Sequence, residues 1–295
     1  MSYNQGSFFF CGEAVQNFNL RAFGGGAGLR HEHFDEILER RPPFRWFEII
    51  SDDFMDFGGY ARDRLMAIRE YYQIISHGVC LAIGSTDPLD RAYLKRMKQF
   101  CREVGSPWTS DHLCFTKVDH TNMLDLMPLP FTRETVNHVA ERVKIVQQEL
   151  ELPFLLENIT RYVTLSDREM SEGEFISEIV TRADCGILLD VTNVFLNSQY
   201  HGYDAWEFIA ALPLERVGQI HLAGWVPDDD GTVIDSHDGP VQPEVWELLK
   251  KTLTQTGPTS VLVEWDNLLP SVDRLLEETL AADKVIAHCT SGGGR

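Results

Sequence analysis

The sequence contains no apolar run long enough to cross a bilayer as a helix. Its N-terminus, MSYNQGSFFFCGEAVQ, also lacks the basic start and the continuous apolar stretch of a signal peptide. Both absences predict a cytoplasmic protein with no membrane partner.

Basic residues are scarce as well. The chain has 26 Lys and Arg against 45 Asp and Glu, which gives a formal net charge of -19. Because nucleic-acid binding draws much of its affinity from cationic contacts to phosphates, this charge predicts that no nucleic acid is bound.

Cysteine is sparse and scattered. The six cysteines include no C-x-x-C pair, so neither a disulfide framework nor a thiolate zinc site is indicated. We expect most of them to be small buried residues. They are Cys11, Cys80, Cys101, Cys114, Cys185 and Cys289.

A strand-helix rhythm runs through the chain. With 295 residues and 43% hydrophobic side chains, the chain can form two ordinary domains or one α/β barrel. Eight β-type runs alternate with segments of helical period. The runs are AGLRH (27–31), RWFEII (45–50), QIISH (73–77), PWTSDH (107–112), PFLLEN (153–158), GILLD (186–190), GQIHL (218–222) and SVLVEW (260–265). The predicted helices are 32–40, 60–71, 88–104, 132–150, 171–182, 204–211, 243–256 and 270–286.

Eight strand-helix units in a chain of this length predict an α/β fold, a (β/α)8 TIM barrel. A doubly wound open sheet is the alternative, but no glycine fingerprint opens a helix after the first strand. The stretch FGGGAG (23–28) has the wrong spacing and is interpreted as a flexible lead-in. We expect a partly flexible extension over 1–26, the barrel over 27–287 and a flexible tail over 288–295.

The predicted strands end on polar residues of metal-ligand type. Because the C-termini of barrel strands meet at one rim, these residues would lie together at the mouth, where such enzymes keep their chemistry. In chain order they are His77, Asp111, His112, Glu157, Asn158, Asp190, His221 and Glu264.

The loop after the seventh strand adds two more candidates, Asp235 and His237, in a D-x-H pair. This pair would point into the same mouth as His221. The acidic turn 228–230 of that loop is interpreted as solvated, and the alternative is a moving cover that steers a basic peptide. His201, in the segment after the sixth strand, is a further candidate for the mouth.

These residues form a mixed nitrogen and oxygen donor set. Any one of them alone is more often an ordinary hydrogen-bonded residue, but burying so many polar groups is costly unless partners or cations compensate them. Four His and four carboxylates suit more than one first-row metal ion. The absence of Cys among them disfavours an iron-sulfur cluster or a structural zinc site.

A series of short motifs carries a family resemblance. In order they are GLRHEHFDEIL, WFEIISDDF, HGVCLAIGS, SDHLCF, LLENITRYV, LLDVTNVFLN, IHLAGW, IDSHDGPV, VWELL and VEWD. From about Gly28 to Pro270, this series resembles the DUF692 family of multinuclear non-haem iron-dependent oxidases, which includes enzymes of methanobactin biosynthesis. The resemblance implies a TIM barrel of the xylose isomerase and endonuclease IV type.

The resemblance also implies a metal cluster. Two or three irons, in mixed Fe(II) and Fe(III) states, would lie at the barrel mouth, and no catalytic residue beyond the cluster is expected. The implied ligands are His77, His112, Glu157, Asp190, His221, Asp235, His237 and Glu264. The residues expected to support them or to position the substrate are Glu48, Asp111, Asn158, Asn193 and His201.

The implied reaction uses dioxygen as co-substrate and removes a hydrogen from a β-carbon, most often of cysteine, in a ribosomally made precursor peptide. Related enzymes often use a small partner protein that binds the leader peptide, and we expect such a partner here. One alternative is a divalent-metal isomerase or phosphodiesterase on the same barrel, which would act without oxygen. Another is a binding module that stores metal.

Overall fold

Eight parallel strands close into a barrel in the structure of this protein, a computed structural model that describes residues 20–56, 58–119, 121–227 and 233–291. The first strand pairs with both the second and the last, which confirms the predicted TIM barrel. In chain order the strands are β1 (Gly25–Gly28), β2 (Trp46–Ile50), β3 (Gln73–His77), β4 (Thr109–His112), β5 (Phe115–Val118), β6 (Thr121–Met127), β7 (Phe154–Glu157), β8 (Gly186–Asp190), β9 (Val217–Ala223) and β10 (Ser260–Glu264). All but β5 and β6 belong to the barrel.

Helices surround the barrel, and side-chain caps define several of their starts. The predicted start of the helix at 132 is confirmed, because Thr132 Oγ1 accepts the Thr135 N–H at 3.2 Å. None of the described helices combines the length and the apolar character that a membrane crossing needs. They are α1 (Phe34–Arg40), α2 (Tyr60–Ile68), α3 (Arg91–Val104), α4 (Arg133–Leu150), α5 (Glu172–Ala183), α6 (Val191–His201), α7 (Ala205–Ala210), α8 (Pro243–Thr256) and α9 (Val272–Ser291).

The glycine-rich stretch forms β1, so its interpretation as a flexible lead-in was wrong. A Cβ on Gly26 would lie 2.2 Å from the ring of Trp46, which fills the space beside β1. Glycine is therefore needed at position 26 so that the tryptophan can pack. Because β1 begins at Gly25, the first barrel strand starts two residues before the predicted boundary at 27. At the other end α9 runs to Ser291, so the predicted tail begins inside a helix.

Two elements were not predicted from the sequence. The hairpin of β5 and β6 follows β4, and most of β6 is exposed, so it lacks the apolar alternation that indicates a strand. Helix α6 follows β8 without a loop, because Asp190 ends the strand and also caps the helix. Residue Cys11 and the acidic turn 228–230 lie outside the described residues.

The barrel separates two apolar clusters. The larger one lies between the strands and the outer helices. The smaller one fills the N-terminal part of the barrel interior and consists of Trp46, Ile75, Trp108, Leu155, Leu188 and Leu262, with Leu20 and Phe23 packed against it. The barrel is therefore plugged by apolar side chains at one end, and its polar interior residues lie at the other.

Gly224 provides a test of how the segment after β9 is held. A Cβ there would meet the backbone oxygens of Pro240 and Gly239 at 2.1 and 2.3 Å. We expect Gly224→Ala to lower the free energy of unfolding by about 2 kcal/mol or more, because backbone atoms cannot move aside as a flexible side chain can. Denaturant titration measures this. Gly58→Ala is the control, since no atom of the described residues lies within 4 Å of its added Cβ, and equal losses in both variants would contradict the prediction.

Candidate metal centre

Inward-facing positions alternate along the barrel strands, and this alternation builds the site. The inner apolar residues lie on or just before the strands, and the side chains two positions further on also face the interior. Those next inward positions are Glu48, His77, Ser110, Glu157, Asp190 and Glu264. His221 follows Gln219 in the same way on β9. Seven of the eight barrel strands, all but β1, thus contribute a polar group to one layer above the apolar plug.

Glu157 lies at the centre of this layer. Its Oε2 is 3.3 Å from His77 Nε2 and 3.3 Å from His112 Nε2, and its Oε1 is 3.1 Å from His221 Nδ1. All of these side chains are buried or nearly so. The structure therefore brings together candidates from β3, β4, β7 and β9 around one carboxylate.

Glu264 and the D-x-H pair complete the cluster. Glu264 Oε2 is 3.4 Å from His221 Nδ1 and 3.7 Å from His237 Nδ1. His237 Nε2 is 2.8 Å from Asp235 Oδ1. The pair therefore lies beside His221 at the mouth, as the spacing of the loop predicts.

The backbone of the D-x-H pair is fixed from two sides. His237 has a left-handed φ of 49°, and its carbonyl accepts the Asp266 N–H at 2.9 Å. The Asp235 N–H donates to the Tyr162 hydroxyl at 2.8 Å. An uncommon backbone conformation with this many partners is held by its surroundings and not by local preference.

Three of the histidines have one ring nitrogen towards the cluster and the other beside a supporting group. On the side away from the cluster, His77 Nδ1 lies 2.8 Å from Ser110 Oγ. In the same way, His221 Nε2 lies 3.0 Å from Glu48 Oε1, and His237 Nδ1 lies 2.9 Å from Asp266 Oδ2. Metal-binding histidines are held in this way, because a partner on one nitrogen sets the ring orientation and the tautomer. The prediction that Glu48 supports the cluster is consistent with its position below His221.

Several inward atoms of the cluster are buried and make no hydrogen bond of normal geometry to a described residue, even where, as for His237 Nε2 and Asp235 Oδ1, another donor atom of the cluster lies close by. Buried polar groups are otherwise almost always satisfied, so a concentration of exceptions indicates a site for a ligand or an ion. These atoms are Glu157 Oε2, Asp190 Oδ2, His221 Nδ1, Asp235 Oδ1 and His237 Nε2.

The donor atoms are close enough to share cations. In each of four groups, one donor atom per residue lies within 4.8 Å of the others: His77, His112 and Glu157; Glu48, His221 and Glu264; Glu157, Asp190 and His221; and Asp190, His237 and Glu264. The groups share Glu157, Asp190, His221 and Glu264, so the donor set is large enough to hold more than one ion. The residues present therefore fit a multinuclear centre.

Burial and mutual charge perturb the acids and bases of the cluster. Burial opposes ionisation of Glu157, but the charges of His221, His112 and His77 lower its pKa to about 2. Burial, followed by the charges of Glu157 and Asp235, raises the pKa of Asp190 well above its usual range. A cation near Asp190 would offset both effects.

Asn158 and Asn193 hold Asp190 in place. Asn158 Nδ2 donates to the Asp190 carbonyl at 2.9 Å, and the Asp190 N–H donates to Asn158 Oδ1 at 3.0 Å. The Asn193 N–H occupies Asp190 Oδ1 at 2.7 Å, which leaves Oδ2 free towards the cluster. Both asparagines therefore lie where a supporting role was expected.

Asp111 and His201 do not reach the mouth. Asp111 is buried beside His112 and accepts the Leu81 N–H at 3.2 Å, and burial raises its pKa to about 7. His201 lines a different cavity. Its Nε2 lies 2.8 Å from the backbone oxygen of Arg161. His201 therefore contacts the loop after β7 from the side of this second cavity.

One face of α6 binds that loop through a ladder of side chains. Asn193 Nδ2 donates to the Asn158 carbonyl at 3.0 Å, and Asn197 Nδ2 donates to the Ile159 carbonyl at 2.9 Å. Asn197 Oδ1 also accepts the Arg161 N–H at 2.7 Å. Because positions four apart lie on the same helix face, residues 193, 197 and 201 contact successive loop residues.

The cluster lines a cavity of about 430 Å³ at the barrel mouth. Sequence reasoning did not select three of its lining residues, Asp266, Thr160 and Tyr162. It also did not select Arg30, whose Nε donates to Asp266 Oδ1 at 3.1 Å. Asp266 lies two positions after Glu264, so the strand alternation was a usable signal for it. The cavity is also lined by Thr160 and Tyr162 of the loop after β7 and by residues 125–127 of the hairpin. These segments show no alternation of apolar and polar residues that would have predicted their position.

The ladder on α6 provides a stability test. We expect Asn197→Ala to lower the free energy of unfolding by about 2 kcal/mol or more, because the Ile159 carbonyl and the Arg161 N–H lose their buried partner. Gln199→Ala, on the exposed face of the same helix, is the matched control and should change it by less than about 0.5 kcal/mol. Denaturant titration of both variants decides the matter, and equal stabilities would contradict a holding role for Asn197.

The fold has many relatives among solved structures. The chain is similar to D-psicose 3-epimerase from Clostridium cellulolyticum H10, with a TM-score of 0.58, 12% identity and coverage of 90% of this chain and 95% of that one. It is also similar to a xylose isomerase domain protein from Alicyclobacillus acidocaldarius, with a TM-score of 0.57, 15% identity and coverage of 91% and 99%. At these identities the likeness shows the xylose-isomerase-like barrel alone.

Sequence comparison shows the family. A UPF0276 protein of Anaeromyxobacter sp. (strain Fw109-5) is 43% identical over 270 residues, which cover 92% of this chain and 95% of that protein. A UPF0276 protein of Acaryochloris marina (strain MBIC 11017) is 39% identical over 265 residues, or 90% and 95%. Residues 24–287 match the family model described as RiPP precursor modification enzyme MbnB/TglH/ChrH. The protein therefore belongs to the MbnB/TglH/ChrH family of enzymes that modify ribosomally synthesised precursor peptides.

Proposed function

We propose that this protein is a multinuclear non-haem iron-dependent oxidase that uses dioxygen to modify a precursor peptide at cysteine, by removing a hydrogen from its β-carbon. The observation that carries the proposal is the set of buried nitrogen and oxygen atoms in and beside one cavity that lie close together without hydrogen bonds of normal geometry to the described residues. Membership of the family supports a peptide as the substrate.

We assign two or three irons, Fe(II) and Fe(III) together, to a mixed donor set. When bound, they would supply the activation of dioxygen and a position for the substrate thiolate. The four carboxylates in the set would offset the charge of two divalent ions, and imidazole and carboxylate donors suit iron. The proposed ligands are His77, His112, Glu157, Asp190, His221, Asp235, His237 and Glu264.

The other residues of the site orient the ligands. Ser110, Glu48 and Asp266 hold the outer nitrogens of His77, His221 and His237, so that their inner nitrogens face the cavity. Hydrogen-atom removal needs no general base from the protein, so this arrangement has only to hold the donors and aim the substrate.

The composition of the cavity favours a substrate thiol. None of the described residues that line it is a cysteine. The five described cysteines, Cys80, Cys101, Cys114, Cys185 and Cys289, lie elsewhere in the fold. Among the described residues, a cysteine brought by the peptide would therefore meet no competing thiolate at the cavity, and thiolate sulfur is a ligand for iron.

We also propose a small partner protein that binds the leader peptide. The barrel, its helices and the hairpin account for the described residues, and none of these segments forms a separate recognition domain. Recognition of a leader by a second protein would complement such a chain. Copurification with the product of a neighbouring gene tests this, and full turnover of a leader-bearing peptide by this protein alone would contradict it.

The cluster can be tested by one isosteric change. Glu157→Gln removes the charge shared by three histidines, so we expect iron affinity to fall by more than about 100-fold, since loss of a mere supporting group costs about 10–100-fold. Iron content after anaerobic reconstitution and circular dichroism are measured together. Glu178→Gln, a change on the outer face of α5, should bind iron normally. A Glu157→Gln variant with full iron content would remove Glu157 from the ligand set.

Metal removal should lower stability. If iron binds the folded protein alone, free iron at 100 times its dissociation constant adds about 2.7 kcal/mol to the free energy of unfolding. Anaerobic thermal melts of the apoprotein with and without Fe(II) should show a higher midpoint with iron, and Glu157→Gln should lose most of that gain. Identical midpoints for wild type would argue against metal binding at this site.

The reaction itself requires a substrate assay. Iron-loaded protein with a cysteine-containing precursor peptide should consume dioxygen and change the peptide mass, whereas zinc-loaded protein should do neither. Activity on a sugar or a phosphodiester without oxygen would instead support the isomerase or phosphodiesterase alternative.

A further inference from the structure

Exposed large hydrophobic side chains are unevenly distributed over the part of the chain that the structure describes. Thirteen such residues are exposed, and ten lie in segments that follow the C-terminal ends of barrel strands. These ten, which we call the mouth rim, are Val118, Met123, Leu124, Tyr162, Val163, Leu165, Tyr200, Val226, Ile234 and Leu268. The other three are on or beside outer helices.

The mouth rim adjoins the metal-site cavity. Tyr162 and Val163 line that cavity directly, and the ring of Tyr200 meets Tyr162 edge-on with centroids 5.4 Å apart. Leu124 and Leu268 are 89% and 76% exposed and are adjacent in sequence to lining residues. Soluble proteins keep large apolar side chains apart at the surface unless the surface binds something.

A groove continues the cavity to one side. A narrow gap shares Pro128 and Val163 with the metal-site cavity. On its other side the gap, of about 20 Å³, adjoins a second cavity of about 440 Å³, and the two have Phe131, Arg161, Thr164 and Arg168 in common. The three spaces therefore lie in a row with shared walls, from the cluster past Val163 and Leu165 to Tyr203 and Phe208.

This row of spaces indicates the shape of its occupant. A cavity of about 430 Å³ has room for a few side chains, so a ligand that reaches the cluster from solvent and also contacts the rim must be extended. A compact polar substrate would gain nothing from an apolar rim. The net charge of -19 opposes a strongly acidic ligand.

We infer that the mouth rim and the groove bind an extended, neutral or weakly basic peptide with bulky apolar side chains beside the residue to be modified. This inference rests on the proposed function, because the modified residue is taken to lie at the cluster. Burial of those apolar side chains against Val163, Leu165 and their neighbours would supply affinity and would select the peptide.

Two synthetic peptides of equal length and charge provide the probe. Each carries one central cysteine, flanked by Leu, Phe and Val in the first and by Ser and Asn in the second. Fluorescence anisotropy with iron-loaded protein under nitrogen gives their dissociation constants without turnover. We expect the apolar peptide to bind wild type about tenfold more tightly or better, which is the effect of burying one or two such side chains.

Two surface variants separate the rim from general hydrophobicity. Val163→Ser with Leu165→Ser should lose most of the preference for the apolar peptide. Leu280→Ser changes an exposed residue on the outer helix α9 and should keep it. Equal affinities of the two peptides for wild type, or equal losses in both variants, would overturn the inference. Rim-dependent binding to phospholipid vesicles without a peptide preference would overturn it in favour of a membrane surface.

Adding air and following peptide mass distinguishes this inference from the proposed function. Oxidation of both peptides with the same Michaelis constant would refute selection by the rim and leave the oxidase intact. A rim-dependent binding preference without any iron-dependent mass change would support the peptide surface and refute the oxidase.

Discussion

A carboxylate inside a barrel needs compensation for its charge, and Glu157 is the residue on which this protein's centre depends. It is buried, and three histidines from three other strands lie within 3.3 Å of its oxygens. Around it lie three more carboxyl groups, those of Asp190, Asp235 and Glu264, and burial together with the charges of Glu157 and Asp235 raises the pKa of Asp190 well above its usual range. Burial of like charges is costly without cations. The same features that make such a cluster costly without cations suit it to metal ions.

The barrel can hold this polar cluster because another part of its interior is packed with apolar side chains. Apolar residues such as Trp46 and Trp108 fill the N-terminal part of the interior, so the strands are held together independently of the polar layer. The link between the two layers is Gln219, which accepts a hydrogen bond from Trp108 Nε1 and donates to Glu48. A rigid apolar plug below and a polar layer above allow donors to be fixed before any ligand arrives, which is what a catalytic metal site requires.

Loops contribute what the strands do not. Helix α6 binds the loop after β7 through Asn193, Asn197 and His201, and that loop carries Tyr162, whose hydroxyl accepts the Asp235 N–H. The D-x-H pair is thus connected to α6 through the same loop that forms part of the mouth rim. Support of the proposed ligands and the proposed contact with a peptide would be properties of one segment, so the proposal links changes in peptide selectivity to changes in the metal site.

The sequence by itself determined the barrel and most of the candidate centre. Strand alternation and the polar end of each apolar run follow from local side-chain patterns, so Glu157, His221 and Glu264 could be selected without a structure. It misjudged the glycine run, because only the packed ring of Trp46 reveals why Gly26 must lack a side chain. It also missed the hairpin, Thr160 and Tyr162, and it left open whether His201 lines the mouth. Those positions depend on how loops fold over the mouth, and contacts between residues far apart in the chain decide that in the tertiary structure.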